Sequence, residues 1–116
     1  MYRIHVEQRA GEPALLRADG ELDAFAADDI AAAFLEARPA DAVVADLSAV
    51  SFMDSTALGL IVRGIREIAE RGGRARVVLP RTTARRIFEI TTLDRTLPLA
   101  ESRADAVSAL AGEDEA

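Results

Sequence analysis

Three oxygen-bearing side chains, Asp54, Ser55 and Thr56, follow the apolar pair Phe52-Met53 and precede a long stretch of helical periodicity. The first turn of a helix has backbone N–H groups without partners and a partial positive charge, so it favours carboxylate, hydroxyl and phosphate oxygens. Asp54 or Ser55 alone suffices to cap such a helix, because both residue types are preferred at that position. A hydroxyl there is also placed where an attached phosphate is tolerated. The pattern predicts a helix start that is either capped only, or capped and also modified.

A catalytic interpretation of these hydroxyls lacks partners. A serine nucleophile needs a base nearby, and the only histidine, His5, falls on the polar side of an alternating segment. Gly72-Gly73 does not form a phosphate loop, because that loop needs a lysine and all fourteen basic residues are arginine. The pair Asp46 and Asp54 suggests an acidic receiver pocket, which also requires a lysine. We therefore expect no enzyme and no catalytic residues.

The composition limits the remaining classes of function. The chain has 116 residues, half of them apolar, which predicts one domain at 1–110 with its own core. The net charge of −6 argues against a nucleic-acid binder, and part of it lies in an acidic tail, 111–116, expected to be disordered. No cysteine and one histidine leave no donor set for a metal, and no cofactor is expected. Without an apolar run of about 18 residues or a signal-peptide pattern, we expect a cytoplasmic protein without membrane insertion.

The first half of the chain alternates between strand and helix patterns. Alternation over Tyr2–Val6 and the segment Ala14–Asp19 predict a hairpin around a turn at Gly11–Pro13. A helix follows with an apolar face and is closed by Pro39. The apolar run Ala42–Ala45 predicts a buried strand, and 46–51 a polar–apolar connection. The members of the first helix face are Ala26, Ile30, Ala33, Phe34 and Ala37.

The second half continues this alternation. A helix starting at Ser55 has one apolar face and is stopped by Gly72-Gly73. A strand is predicted at 76–79, a short helix from Thr82 or Thr83 through Ile90, a short edge strand at 97–99 and a last helix at 103–110. Together these elements predict an α/β fold with a mixed β-sheet of four to five strands, an N-terminal hairpin and about four helices. The apolar face of the long helix comprises Leu58, Ile61, Val62, Ile65, Ile68 and Ala69.

Several of these segments together resemble a known family. The run Val43–Gly59, with its Asp-Ser-Thr-Ala-Leu core, is similar to the signature of the STAS domains of bacterial anti-sigma factor antagonists. Gly20–Asp23, the Gly72-Gly73 stop and Thr83–Leu93 resemble further segments of that family at the expected spacing. The resemblance covers nearly the whole chain and implies the STAS, or SpoIIaa-like, fold.

The resemblance implies a partner switch. In that family the unphosphorylated protein binds an anti-sigma factor that is also a serine kinase of the GHKL type, and a sigma factor is released. The kinase uses ATP to phosphorylate the serine after the motif aspartate, here Ser55, and a cognate serine phosphatase resets the protein. Ala57 departs from the glycine of many members, and Thr56 is a second hydroxyl beside the acceptor. Ala57 is a good helix former and should not disturb the first turn.

The partner-binding surface implied in this way comprises Asp23, Asp54, Ser55, Thr56 and Leu60. Leu60 lies off the apolar stripe of its helix and is either an ordinary exposed leucine or an apolar contact for the partner. A STAS-fold accessory subunit that binds the ATPase of a lipid or solute transporter is the alternative function. The intact Asp54-Ser55 pair favours the regulator of transcription.

Overall fold

The computed structural model describes residues 1–79 and 98–115, which build a five-stranded sheet with helices on both faces. The strands are β1 (Tyr2–Glu7), β2 (Ala14–Leu22), β3 (Ala42–Met53), β4 (Arg74–Val78) and β5 (Leu99–Ala100). The helices are α1 (Ala27–Ala37), α2 (Ser55–Glu70) and α3 (Arg103–Glu115), with a 3-10 turn at Ala24–Ala26. The strand order is β1-β2-β3-β4-β5, antiparallel between β1 and β2 and parallel elsewhere. The predicted mixed sheet with an N-terminal hairpin is confirmed.

The hairpin separates an inner and an outer face. Tyr2, Ile4 and Val6 are half-buried against the main core, whereas His5 and Glu7 lie on the exposed face. His5 Nε2 is 3.5 Å from a carboxylate oxygen of Glu7. The predicted alternation is confirmed, and His5 is on the polar side of its strand.

Of the three helices that the structure describes, two cover one face of the sheet and one covers the other. Residues of α1 and α2 form the main core with alternate residues of β2 and β3. On the opposite face, Ala106 and Leu110 of α3 pack on Val44 and Val78. Because β3 is covered on both sides, its first half is a continuous apolar run, as the sequence predicted.

Strand β3 corrects one prediction. The segment 46–51, expected to be a connection, continues the strand to Met53 and stays paired with β2. The register with β2 shifts between Arg17 and Asp19 and again between Gly20 and Glu21. These irregularities break the two-residue alternation, so buried Leu47 and Val50 are separated by exposed residues and the strand resembles a loop in sequence.

The predicted helices are confirmed where the structure describes them. Gly72, with a φ of 85°, follows α2, and the Gly73 N–H donates to the Ile68 carbonyl at 2.8 Å, which is the expected stop. The predicted helix at 82–90 lies outside the described residues, which contain three α-helices. Strand β5 is at the sheet edge, slightly later than predicted. Helix α3 continues past Leu110 to Glu115, so its backbone extends into the segment expected to be a disordered tail; the single-domain boundary at 110 and the disorder stay predictions.

Candidate functional site

Asp54 is the residue between β3 and α2. Its backbone is extended, with φ −90° and ψ 176°, and its Oδ1 accepts a hydrogen bond from the Ala57 N–H at 2.9 Å. Asp54 is therefore the N-cap, which decides between the two capping candidates. The Ser55 side chain forms no hydrogen bond with any of the described residues. Its hydroxyl is exposed and has no part in capping the helix.

The same Asp54 carboxylate also binds the loop that follows β2. Its Oδ2 accepts a hydrogen bond from the Ala24 N–H at 3.0 Å, and the Asp54 N–H donates to the Leu22 carbonyl at 3.0 Å. Asp23 in turn caps the 3-10 turn by accepting from the Phe25 N–H at 2.9 Å. The segments 20–23 and 54–58, which the sequence singled out separately, thus meet at the carboxyl ends of the neighbouring strands β2 and β3.

Gly20 allows the chain to take this path. Its φ is 87°, a backbone conformation that residues with a side chain rarely adopt. A Cβ atom at this position would also overlap the carbonyl oxygen of Met1. The adjacent Glu21 N–H donates to that same carbonyl at 3.2 Å. Leu22, near the end of the irregular part of β2, is completely buried, and Asp23 follows it directly before the 3-10 turn that contacts α2.

The five residues of the predicted partner-binding surface differ in exposure. Ser55 and Thr56 are exposed, whereas Asp23, the cap of the 3-10 turn, and Asp54, the cap of α2, are half-buried. Leu60 is half-buried, packs against the main core and lines a groove of about 290 Å³ between α1 and α2. It is therefore more than a surface leucine, and its contact with a partner stays a prediction.

Several carboxylates make the surface around the 3-10 turn and the start of α1 acidic. The Tyr2 hydroxyl donates to Asp29 in the first turn of α1, and this hydrogen bond raises the pKa of Tyr2 above its ordinary value.

One aromatic side chain in this region was not predicted from the sequence to belong to the site. Phe25, between Asp23 and α1, is 90% exposed. Its position depends on contacts of the 3-10 turn with Tyr2 in β1 and with Asp54 before α2, which no local pattern in the sequence indicates.

Asp46 is separate from this site. It lies on the face of the sheet under α3, where it accepts hydrogen bonds from the Ser48 N–H and hydroxyl and from Arg103 Nη2 at 2.8 Å. Burial by itself would raise the pKa of Asp46, but the hydrogen bonds from Ser48 and Arg103 outweigh it, and the pKa lies below the ordinary value. Asp46 and Asp54 therefore do not form a shared acidic pocket. The Asp46–Arg103 ion pair is a second contact that the sequence prediction missed.

Within residues 1–79 and 98–115, no group of three or more His, Cys, Asp or Glu side chains is arranged to hold a metal ion. None of the helices described is long and apolar enough to cross a membrane.

The fold and the site define a small α/β domain that presents a capped helix start and its exposed serine at the carboxyl ends of β2 and β3. The chain belongs to the STAS domain family, whose model matches residues 3–106. This confirms the family predicted from the sequence.

Known relatives match most of the chain. The anti-sigma F factor antagonist of Lysinibacillus sphaericus is 31% identical over 93 residues, 78% of this chain and 80% of the relative. The crystal structure of an anti-sigma factor antagonist from Mycobacterium paratuberculosis superposes with a TM-score of 0.78 at 28% identity, covering 94% of this chain and 93% of that one. The anti-sigma factor antagonist SpoIIAA is 25% identical and is similar in its unphosphorylated form (TM-score 0.77, 95% and 97% covered) and in its phosphorylated form (0.71, 93% and 99%).

Proposed function

We propose that this protein is an anti-sigma factor antagonist that works as a partner switch. Its unphosphorylated form binds an anti-sigma factor that is also a serine kinase of the GHKL type, and a sigma factor is released. Phosphorylation of Ser55 ends this binding, and a cognate phosphatase restores it. Similarity to anti-sigma factor antagonists over most of the chain supports this function. It is also supported by the similarity to SpoIIAA, whose structure is known in both the phosphorylated and the unphosphorylated form.

The observation that carries the proposal is that Asp54 makes the structural hydrogen bonds at the start of α2, whereas the neighbouring Ser55 makes none with the described residues. Asp54 supplies both capping and the bond to the neighbouring loop, whereas the Ser55 hydroxyl is exposed and has no structural task among the described contacts. A kinase can therefore modify Ser55 without removing a contact that the fold needs. Thr56 is exposed too, and the resemblance alone selects Ser55 as the acceptor.

The electrostatics favour release of the partner over unfolding. A phosphate adds about −1.5 to −2 charges at pH 7. At Ser55 it joins the Asp54 and Asp23 carboxylates, and a partner that covers this surface must take these crowded negative charges out of water. We expect that desolvation to cost on the order of several kcal/mol, a loss of affinity of about a hundredfold or more. The positive end of the α2 dipole offsets about 0.3–1 kcal/mol of this at an exposed site. We infer a local switch of charge without refolding.

Phosphorylation with identified products tests this function. The protein is incubated with ATP and each candidate anti-sigma kinase from its genome, and the products are mapped by mass spectrometry. We expect phosphate on Ser55 in the wild type and in Thr56→Ala, and none in Ser55→Ala. Phosphate on Thr56 with Ser55 untouched would overturn the acceptor. Failure of the wild type to bind any such kinase would instead favour the accessory subunit of a transporter ATPase.

A further inference from the structure

Phe25 is the most exposed large apolar side chain among the described residues after the N-terminal Met1. It is 90% exposed, compared with 64% for Leu35 and 52% for Phe52. A ring in that position adds almost nothing to the buried core, so the fold gains little from an aromatic residue there. Buried aromatic side chains often contribute most of the affinity of protein interfaces.

The backbone that holds this ring is fixed. The Phe25 N–H donates to the Asp23 carboxylate at 2.9 Å, and the Phe25 carbonyl oxygen lies 3.4 Å from the Tyr2 hydroxyl, which donates its proton to Asp29. The neighbouring Ala26 is completely buried, and the Ala24 N–H is bound by Asp54. The ring therefore projects from an ordered turn, and a partner that covers it pays little for ordering the backbone.

The charges near Phe25 indicate what kind of surface fits it. Asp23 precedes the ring, and Asp28 and Asp29 follow it in the first turn of α1. No arginine or lysine occurs between residues 18 and 37. A matching surface is an apolar pocket with basic side chains at its rim, because such a rim complements the carboxylates while the pocket takes the ring.

We propose that Phe25 is an anchor of the partner interface and inserts into an apolar, basic-rimmed pocket of the anti-sigma factor kinase. This inference rests on the proposed function and deepens it. Phe25 and Ser55 both lie near the carboxyl ends of β2 and β3, because the Asp54 carboxylate links Ala24 to the start of α2. In this proposal the ring contributes binding affinity for the kinase, and phosphorylation of Ser55 lowers that affinity. Phe25 acts by positioning the complex and does not touch the phosphate that is transferred.

The binding test uses the full-length protein and the kinase that binds its wild type, with calorimetry as the readout. Phe25→Ala should raise Kd about thirtyfold or more, the loss typical of an interface anchor. Val107→Ala, which shortens another exposed apolar side chain on α3 beyond the opposite face of the sheet, should change Kd less than about twofold. Both variants should melt within a few degrees of the wild type, since neither side chain is buried.

Steady-state phosphorylation adds a readout that separates anchoring from chemistry. Phe25→Ala should raise the KM for the protein substrate and leave kcat unchanged, because the ring contacts the kinase away from the reacting hydroxyl. Asp28→Asn should slow association at low salt more than at high salt.

The outcomes are distinguishable. A wild type that binds no anti-sigma kinase overturns the proposed function, and this inference with it. A wild type that binds while Phe25→Ala binds equally well overturns only the anchor. If sedimentation shows a dimer that Phe25→Ala converts to a monomer with unchanged kinase affinity, the ring belongs to an interface between two copies and the anchor is again wrong.

Discussion

Asp54 and Ala24, thirty residues apart in the chain, are joined by a 3.0 Å hydrogen bond from the Ala24 N–H to Oδ2 of Asp54. The other carboxylate oxygen caps α2 through the Ala57 N–H. One side chain thus holds the 3-10 turn and the start of α2 in a common arrangement. The exposed serine next to it is positioned by this bridge without contributing to it.

Loss of this bridge should destabilise the fold. Asp54→Ala removes a cap worth about 1 kcal/mol and a hydrogen bond to a charged acceptor worth about 1.5 kcal/mol, so we expect the free energy of unfolding to fall by about 2.5 kcal/mol. Urea denaturation measures this. Ser55→Ala is the matched control and should stay within about 0.5 kcal/mol of the wild type. Equal losses in both variants would show that the bridge contributes nothing.

Charge at Ser55 should act on binding and leave the fold intact. Ser55→Asp adds a negative charge beside Asp54, and we expect its free energy of unfolding to stay within about 1 kcal/mol of the wild-type value. Changes in backbone NMR chemical shifts should be confined to residues 23–25 and 52–58, at the carboxyl ends of β2 and β3. Affinity for the proposed kinase should fall steeply. Ser108→Asp adds the same charge at an exposed position on α3 and should leave that affinity unchanged. Widespread shifts in the free Ser55→Asp protein would contradict a local switch.

Replacement of Leu60 should affect stability as well as binding. The side chain is half-buried against the core, so Leu60→Ser should cost about 1 kcal/mol, roughly half the transfer free energy of a buried leucine. An ordinary exposed leucine, which its position off the apolar stripe also allowed, would lose almost nothing on this replacement. Leu35→Ser, at a more exposed position on the same groove, should be close to neutral. Thermal unfolding of the two variants compares them, and an unchanged melting temperature of Leu60→Ser would show that Leu60 is an ordinary exposed leucine.

The Asp46–Arg103 pair should make part of the stability depend on pH. Because the pKa of Asp46 is lowered in the folded protein, its contribution is fully present above the ordinary carboxyl pKa of about 3.9 and is lost as the pH falls through the folded value. Arg103→Gln removes one cause of that shift and should cost about 1–2 kcal/mol at pH 7, with a difference from the wild type that shrinks below about pH 4.

Denaturation at several pH values measures this, and amide exchange should show faster opening of α3. Arg17→Gln breaks the 2.9 Å ion pair with the partly exposed Asp19, and should cost less than about 1 kcal/mol. A constant difference between Arg103→Gln and the wild type from pH 7 to pH 3 would be evidence against the role given to Asp46.

Local patterns were enough to predict the sheet class, α1, α2 and the helix start at Ser55. Helical periodicity, a capping residue and a double-glycine stop all act within a few residues, so the sequence shows them directly. The second half of β3 was missed because its irregular pairing with β2 removes the alternation by which a strand is recognised.

The sequence by itself thus determined the candidate serine, its helix and, through resemblance, its family. Only the tertiary structure decided that Asp54 and not Ser55 is the cap, that Asp54 also binds Ala24, and that Phe25 projects beside them. It also paired Asp46 with Arg103, 57 residues away. The physical reason is the same in each case. These contacts join segments whose distance in space is set by strand order and register, which no local pattern encodes.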